Sequence, residues 1–240
     1  MKRAILFDMD GTLVDNMAFH TTSWVQFFAS RGRQIDPQAF FRRTTGRHAA
    51  EILRDWLDGG LSDAECEALT EVKEGLYRRL YAPHLKPLAG LEAFIAQARA
   101  QGVRLAVGTA APPSNVRFTL DGLGLRDHFD AVVGAADVQR GKPDPEVFLK
   151  AAQACGAEPR DCIVIEDAPL GLEAARRAGM RAVALTTTMP AEDFKAFDHL
   201  IAVAADYRGL SPESLFARAW TTSPDAGTIA GAGPPGRHGE

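Results

Sequence analysis

Two pairs of acidic residues are the part of the sequence best suited to chemistry. Asp8 and Asp10 follow a short apolar run near the N-terminus, and Glu166 and Asp167 follow a second apolar run. Carboxylates so close together repel each other unless a cation neutralises them or one of them is protonated. A hard divalent ion with oxygen ligands is the simplest solution, and Mg²⁺ suits phosphate substrates. The alternative for the first pair is a helix N-cap with a turn aspartate, which would need no ion.

A hydroxyl and a lysine stand at comparable places in the sequence. Thr109 follows the apolar segment 105–108, and Lys142 precedes Pro143-Asp144-Pro145, which predicts a rigid helix entrance. Each residue also has a simple structural explanation, because Thr109 could cap a helix and Lys142 could be solvated. Ligands of open α/β sheets bind beyond the carboxyl ends of the strands. We therefore expect these two side chains to join the acidic pairs at one edge of a sheet.

Short apolar runs alternate with helical patterns along most of the chain, and this alternation indicates the fold class. Such runs are typical of buried parallel strands. All four helical patterns between them are followed by glycine, and two begin with proline. Proline at the start of a helix and glycine just after its end are the usual preferences of helix termini. We predict an α/β fold with a Rossmann-like parallel sheet joined by right-handed crossovers. The predicted strands are 4–7, 104–107, 131–133, 162–165 and 181–185, and these helices are 91–101, 116–123, 145–155 and 169–178.

The segment 16–86 breaks the alternation, because it contains no convincing strand. It includes Ser62-Asp63-Ala64-Glu65, which is typical of a capping box at a helix start. We predict an all-helical cap domain formed by residues 16–86, inserted into a discontinuous core formed by residues 1–15 and 87–220. The tail 221–240 is rich in glycine, proline and alanine, a composition that predicts disorder. Helices are predicted in the cap at 19–30, 37–43, 49–58 and 64–81.

The composition argues against several classes of protein. The chain has 240 residues, of which 46% are hydrophobic, with 27 basic and 31 acidic side chains and a net charge of −4. This balance argues against a general binder of nucleic acids or of anionic membranes. The three cysteines are scattered without a C-x-x-C pair, which predicts buried free thiols in a reducing compartment. No apolar run has the length of a signal-peptide core or of a membrane span, so we expect a cytoplasmic protein. The capped fold predicted above is compatible with a monomer, which we expect.

The sequence resembles the haloacid dehalogenase-like superfamily, in its branch of phosphatases and beta-phosphoglucomutases. The first and most specific motif of that family stands here as Asp8-Met9-Asp10-Gly11-Thr12-Leu13-Val14-Asp15. The helical segment lies between the first and second motifs, as in the helical-cap type of the family. The other motifs correspond to Thr109, to Lys142 within Gly-Lys-Pro-Asp-Pro, and to Glu166-Asp167. The resemblance covers residues 2–219.

This resemblance implies a role for each acidic residue. Asp8 would be the nucleophile that attacks phosphorus and forms an aspartyl phosphate. Asp10 would protonate the leaving alkoxide and then act as the base that activates water. Mg²⁺ would be held by Asp8, the backbone carbonyl of Asp10 and Asp167. Glu166 would be a further ligand or a neighbour that supports the ligands.

The resemblance also implies which residues face the phosphoryl group. Lys142, together with the metal, would offset the negative charge that opposes attack on phosphorus. Thr109 and backbone amides near Ala110 would hold phosphoryl oxygens, joined by Asn115 at the start of the next helix. The dehalogenase branch attacks carbon and needs no second aspartate two residues after the nucleophile. Asp10 therefore favours phosphoryl transfer.

Three cap residues are candidates for contact with the substrate. His20 lies near the hinge, where this branch often has a histidine that faces the substrate and Asp10. Arg47 precedes a helix start and could grip a second anionic or polar group. Lys73 lies where relatives have a substrate-facing lysine. The alternative reading of His20 is a partly exposed surface histidine, and that of Lys73 is a solvated charge on an amphipathic helix.

The substrate is a small phosphorylated molecule by this resemblance, and three functions stay open. The first is a Mg²⁺-dependent phosphatase of small metabolites such as sugar phosphates. The second is a beta-phosphoglucomutase. Sugar mutases of this branch carry an arginine three residues after the glycine equivalent to Gly46, where this chain has Ala49, and they carry polar residues where this chain has Ala111-Pro112-Pro113. The third is a binding protein that keeps the fold without turnover.

Overall fold

A six-stranded parallel sheet forms the centre of the computed structural model, which describes residues 2–44, 47–57 and 60–221. The strand order is β3-β2-β1-β4-β5-β6, and every neighbouring pair is parallel. The strands are β1 Ala4–Phe7, β2 Arg104–Gly108, β3 Ala131–Val133, β4 Cys162–Glu166, β5 Arg181–Leu185 and β6 Leu200–Ala204. The predicted α/β fold with a Rossmann-like parallel sheet is confirmed.

The central strands are apolar without interruption because both faces of the sheet are covered. Successive side chains of a strand point to opposite faces. Ile5 and Phe7 of β1 belong to the core on one face, and Ala4 and Leu6 belong to the core on the other. All four residues are fully buried. A strand buried on both sides reads as a continuous apolar run, and this pattern made the five predicted strands recognisable.

Helices of the core cover the two faces of the sheet. Apolar residues of α5, α6 and α9 join the core that contains Phe7, and those of α7 and α8 join the core that contains Leu6. The helices are α5 Leu91–Ala100, α6 Pro113–Gly122, α7 Glu146–Cys155, α8 Pro169–Arg177 and α9 Pro212–Thr221. Helix α6 begins three residues before its predicted start, because Pro113 is well suited to a first helical turn.

Four further helices lie between β1 and β2 in the chain, and they share an apolar core of their own. Residues from all four helices meet in this core, among them Trp24, Phe40, Ile52 and Cys66. The helices are α1 Met17–Ala29, α2 Pro37–Thr44, α3 Ala49–Trp56 and α4 Asp63–Tyr81. The separate core supports the cap domain that we propose for residues 16–86.

The capping box predicted at the start of α4 is present. The Ser62 side-chain oxygen accepts a hydrogen bond from the Glu65 backbone amide at 3.3 Å, and the Glu65 carboxylate accepts one from the Ser62 amide at 2.9 Å. These bonds satisfy two groups at the helix start that would otherwise lack a partner. The sequence signal therefore located the N-terminus of the longest helix in the described residues.

Strand β6 and helix α9 were not predicted from the sequence. The connection from β5 to β6 contains no α-helix, only a short 3₁₀ turn at Ala191–Phe194, so the alternation of strand and helix stops after β5. Strand β6 lies at the edge of the sheet and is only partly buried. The disorder predicted for 221–240 falls outside the described residues, apart from Thr221 at the end of α9.

The three cysteines are buried and unpaired, as predicted. Cys155 and Cys162 lie in the core on one face of the sheet. Cys66 lies in the core shared by α1 to α4, which together form the helical block. Among the helices that the structure describes, none combines the length and the hydrophobicity of a membrane span.

Candidate active site

The carboxyl ends of three adjacent strands bring predicted site residues into one cavity. The strand order reverses between β1 and β4, because β2 and β3 extend the sheet on one side while β5 and β6 extend it on the other. Such a reversal opens a crevice at the carboxyl ends of the strands. Asp8 follows β1, Thr109 follows β2 and Glu166 ends β4, and all three line a cavity that α1 to α4 cover from the opposite side.

Three buried carboxylates form the floor of this cavity. Oxygens of Asp8, Glu166 and Asp167 all lie within 4.8 Å of one another. Burial raises the pKa of Asp8 to about 7, although Lys142 opposes the shift. Burial, with the neighbouring charges of Glu166 and Asp8, raises the pKa of Asp167 well above its usual value. The three carboxylates are therefore not readily ionised together without a further cation, and their hard oxygen donors fit a divalent ion such as Mg²⁺.

Lys142 is held directly against two of these carboxylates. Its Nζ donates to Asp8 Oδ1 at 2.5 Å and to Glu166 Oε1 at 2.8 Å. Burial alone would lower the pKa of Lys142, but the two carboxylates raise it above its ordinary value, so the side chain stays charged. The lysine is therefore a fixed positive charge beside Asp8, and the alternative of a solvated lysine is wrong for this structure.

Glu166 and Asp167 differ in how their oxygens are used. Glu166 Oε2 accepts the backbone amides of Asp167 at 2.8 Å and Ala168 at 2.7 Å, while its Oε1 accepts from Lys142. Asp167 Oδ1 accepts from the hydroxyl of Thr12 at 3.1 Å. Glu166 is thus engaged at both oxygens and orients Lys142, whereas Asp167 keeps more capacity for a ligand.

Two glycines allow the backbone to approach these carboxylates closely. Gly11 has a φ of +80°, and a Cβ there would come within 2.0 Å of Asp167 Oδ2. A Cβ at Gly171 would come within 1.6 Å of Glu166 Oε1. Because these contacts are far below van der Waals distance, neither position has room for a side chain. The two glycines are therefore part of the geometry of the acidic floor.

Asp10 faces away from the acidic floor and toward the helical block. Asn16 Nδ2 donates to Asp10 Oδ1 at 2.6 Å, and His20 Nε2 lies 3.7 Å from the same oxygen. Burial would raise the pKa of Asp10, but His20, Asn16 and the charge of Lys73 outweigh it and lower the pKa below the usual value. Asp10 lines the cavity, so its carboxylate is available to a proton donor or acceptor bound there.

His20 and Lys73 form a contact that spans two helices of the block. Lys73 Nζ lies 2.8 Å from His20 Nδ1, and the imidazole stacks on Tyr77 with ring centroids 3.7 Å apart. An ammonium group can only donate, so His20 Nδ1 accepts and the proton of a neutral ring lies on Nε2, which faces Asp10. Lys73 is 1% exposed, so the alternative of a solvated surface lysine is wrong.

Asn115 is placed differently from the role that the resemblance implied. It lines the cavity, but Asn115 Nδ2 donates to Glu74 Oε2 at 2.7 Å, and Arg78 Nη1 donates to Asn115 Oδ1 at 2.8 Å. Its amide is therefore occupied by α4. At the end of β2, Thr109 Oγ1 accepts from the amide of Ala111 at 3.1 Å, and Ala110 lines the cavity beside them.

Arg47 lines the cavity on the side of the helical block, and its guanidinium is already paired. It donates to Asp55 at 2.8 Å and to Glu51 at 3.4 Å. The hydrogen bond to Asp55 is the largest cause of the raised pKa of Arg47. Ala49, the position that carries arginine in the sugar mutases by the resemblance, also lines the cavity, while the reference glycine, Gly46, lies outside the described residues.

Four residues of this site were missed from the sequence: Asn16, Glu74, Tyr77 and Arg78. Asn16 accepts the amide of Gly11 at 3.0 Å and donates to the hydroxyl of Tyr77 at 2.6 Å, so it joins the first motif to α4. A usable signal was the placement of the charged pair Lys73-Glu74 on the helix face that also carries buried Tyr77. Charges on an apolar helix face need partners, which indicates a polar network.

Known proteins resemble this chain in sequence over most of its length. A family model described as haloacid dehalogenase-like hydrolase matches residues 2–179. The chain is 35% identical to validoxylamine A 7'-phosphate phosphatase of Streptomyces hygroscopicus subsp. limoneus, over 84% of this chain and 93% of that protein. It is 36% identical to fructose-1-phosphate phosphatase YqaB of Escherichia coli, over 75% of this chain and 94% of that protein.

A solved structure has the same fold as this chain over almost its whole length. The beta-phosphoglucomutase of Clostridium difficile superimposes with a TM-score of 0.80 at 26% identity, covering 92% of this chain and 98% of that chain. The match therefore extends over the sheet and the helical block together. The family model and the identities to two phosphatases cover most of the chain. The chain is a member of the haloacid dehalogenase-like hydrolases.

Proposed function

We propose that the protein is a Mg²⁺-dependent phosphatase that hydrolyses small phosphorylated metabolites, with sugar phosphates as the first class to test. The observation that carries this proposal is the buried group of Asp8, Glu166 and Asp167 with the ammonium of Lys142 between Asp8 and Glu166. Relatives named as phosphatases support it, one of them named for fructose 1-phosphate.

In the proposed reaction, an oxygen of Asp8 attacks phosphorus while the bond from phosphorus to the leaving oxygen breaks. Because the pKa of Asp10 is lowered in the free protein, Asp10 takes up a proton when the substrate binds. It gives that proton to the leaving oxygen, so the product leaves as an alcohol. Water then attacks the aspartyl phosphate and passes a proton to Asp10, which releases phosphate and restores Asp8. One residue serves both steps because the second step reverses the direction of proton transfer.

The other residues hold the charges that these steps require. Lys142 is already 2.5 Å from Asp8, so its positive charge needs no rearrangement to face the phosphoryl group. Asp8 and Asp167, with the backbone carbonyl of Asp10, would hold Mg²⁺, and Glu166 would keep Lys142 in place. When bound, the metal ion supplies positive charge beside the phosphoryl oxygens. Thr109 and the amide of Ala110 would bind phosphoryl oxygens.

The second candidate is a beta-phosphoglucomutase, which the likeness to a solved mutase favours. By the resemblance, phosphatase and mutase share the floor residues, so the difference must come from the cap side of the cavity, which is the side that α1 to α4 cover. Ala49 lines that side where the sugar mutases carry arginine by the resemblance. We therefore place the phosphatase first.

The test is a phosphate-release assay over a panel of sugar phosphates, with Mg²⁺, after addition of EDTA, and after Mg²⁺ is restored. The proposal expects release with Mg²⁺, loss with EDTA and recovery with Mg²⁺. Formation of glucose 6-phosphate from beta-glucose 1-phosphate is measured in parallel, and a rate above that of phosphate release would favour the mutase. No Mg²⁺-dependent release from any compound would favour a binding protein without turnover.

A cytoplasmic location and a monomeric state complete the proposal. The monomeric state is checked by size-exclusion chromatography with light scattering. A mass of two or more chains would contradict it.

A further inference from the structure

The cap side of the cavity differs from the floor in its chemistry. Trp24, Phe40 and Ile52 line it, and each is at most 6% exposed and belongs to the core of the helical block. Phe41 and Met17 line it as well. The part of a substrate that extends away from the floor therefore meets apolar and aromatic side chains set among polar and charged ones.

Two cations line this side, and carboxylates already meet both of them. Lys73 Nζ donates to Glu74 Oε1 at 2.9 Å, and both side chains are buried. Arg47 is bound by Asp55 and Glu51, and its side chain is only 27% exposed. In the described residues this side of the cavity thus has two cations matched to three carboxylates.

The four residues of the segment 16–86 that lie outside the described ranges add no cation to it by type. Positions 45, 46, 58 and 59 are threonine, glycine, aspartate and glycine in the sequence, and none of these types is a cation. A second phosphate dianion at the cap side would have to compete with the carboxylates of Asp55 and Glu51 for Arg47. Like charges brought together at a binding surface cost several kcal/mol in typical cases.

From this arrangement we infer that the protein selects monophosphate esters whose remote end is uncharged, and that it discriminates against bisphosphates. The carboxylate of Asp55, through its pairing with Arg47, is the specificity-determining group. This inference rests on the proposed phosphatase function and deepens it. It also opposes the mutase, because a sugar mutase must hold a bisphosphorylated intermediate.

The test uses three esters that differ only at the remote end: n-hexyl phosphate, the same ester with a terminal hydroxyl, and the same ester with a second terminal phosphate. Phosphate release is measured with the full chain and Mg²⁺, and para-nitrophenyl phosphate reports the chemistry independently. We expect similar kcat/KM for the first two esters, and a value lower by about 30-fold or more for the bisphosphate.

A variant in which Asp55 loses its charge tests the cause of the discrimination against bisphosphates. Asp55→Asn removes one carboxylate from Arg47 with little change in shape, and should raise kcat/KM for the bisphosphate by about tenfold relative to hexyl phosphate, a change of about 1.4 kcal/mol. Glu67→Gln makes the same change of charge at an exposed position of α4 outside the cavity, and should leave the ratio unchanged.

The outcomes separate this inference from the proposed function. No release from any compound, para-nitrophenyl phosphate included, would contradict the phosphatase itself. If para-nitrophenyl phosphate is hydrolysed and the bisphosphate is hydrolysed as well as hexyl phosphate, the inference alone is overturned. The same holds if para-nitrophenyl phosphate is hydrolysed and none of the three alkyl esters is. If the wild type prefers hexyl phosphate to the bisphosphate and Asp55→Asn leaves this preference unchanged, the role of Asp55 is overturned.

Discussion

At the scale of single residues, the site depends on backbone positions that tolerate no side chain. Gly171 lies against the carboxylate of Glu166, and Glu166 in turn binds the ammonium of Lys142. The catalytic lysine of our proposal is therefore oriented by a residue whose own position depends on a glycine. A sequence motif is enough to identify the charged groups. The close approach of Gly171 to Glu166 follows from the packing of α8 on β4.

The substitution Gly171→Ala tests this dependence. The added methyl group would come within 1.6 Å of Glu166 Oε1, so Glu166 must move and Lys142 loses a partner. We expect the free energy of unfolding to fall by about 1–3 kcal/mol and kcat to fall with it. The control is Gly60→Ala, because a Cβ at Gly60 meets nothing within 4 Å. Equal behaviour of the two variants in thermal unfolding and turnover would contradict this account of Glu166.

At the scale of secondary-structure elements, α4 connects the helical block to the core. Arg78 Nη1 donates to Ser114 Oγ at 2.9 Å and to Asn115 Oδ1 at 2.8 Å, both at the start of α6, and Arg78 is also paired with Glu71. The position of α4 in the chain and its capping box were predictable from the sequence. Its contact with α6 was not, because residues 78 and 115 are distant in the chain and no periodic pattern relates them.

Removing this contact should loosen the first turn of α6 against α4. We expect Arg78→Ala to speed hydrogen exchange of the backbone amides at the start of α6 by about tenfold, since a hydrogen bond to a charged group contributes about 1.5–3 kcal/mol. Exchange is followed by mass spectrometry. Arg79→Ala changes the neighbouring, exposed arginine and should have no such effect. Unchanged exchange in Arg78→Ala would show that this contact does not hold the two helices together.

At the scale of the whole molecule, the prediction from sequence succeeded where signals repeat and failed where they do not. Five apolar runs separated by helices are enough to indicate a parallel sheet, and the carboxyl ends of its strands bring Asp8, Thr109 and Glu166 together. Strand β6 was missed because no α-helix connects β5 to it. The pairing of Arg47 with Asp55 was missed as well, because no pattern in the sequence relates these two residues.

The packing of the whole molecule also protects its cysteines. All three thiols are buried, and burial raises the pKa of Cys155 to about 11 and that of Cys162 to about 12. Only the thiolate reacts readily, and its population falls as the pKa rises above the pH. We expect an aromatic disulfide reagent at pH about 8 to label no thiol in the native protein within minutes and all three after denaturation. Rapid labelling of the native protein would contradict the packing of these cores.

The central claim is that Asp8 carries out the first chemical step, and one substitution tests it most directly. Phosphate release from para-nitrophenyl phosphate is compared between the wild type, Asp8→Asn, and the matched control Asp127→Asn at an exposed position. The account predicts that Asp8→Asn lowers kcat by about 10³-fold or more while the protein still unfolds cooperatively, and that the control keeps full activity. An Asp8→Asn variant that releases phosphate at a rate near that of the wild type would contradict the account.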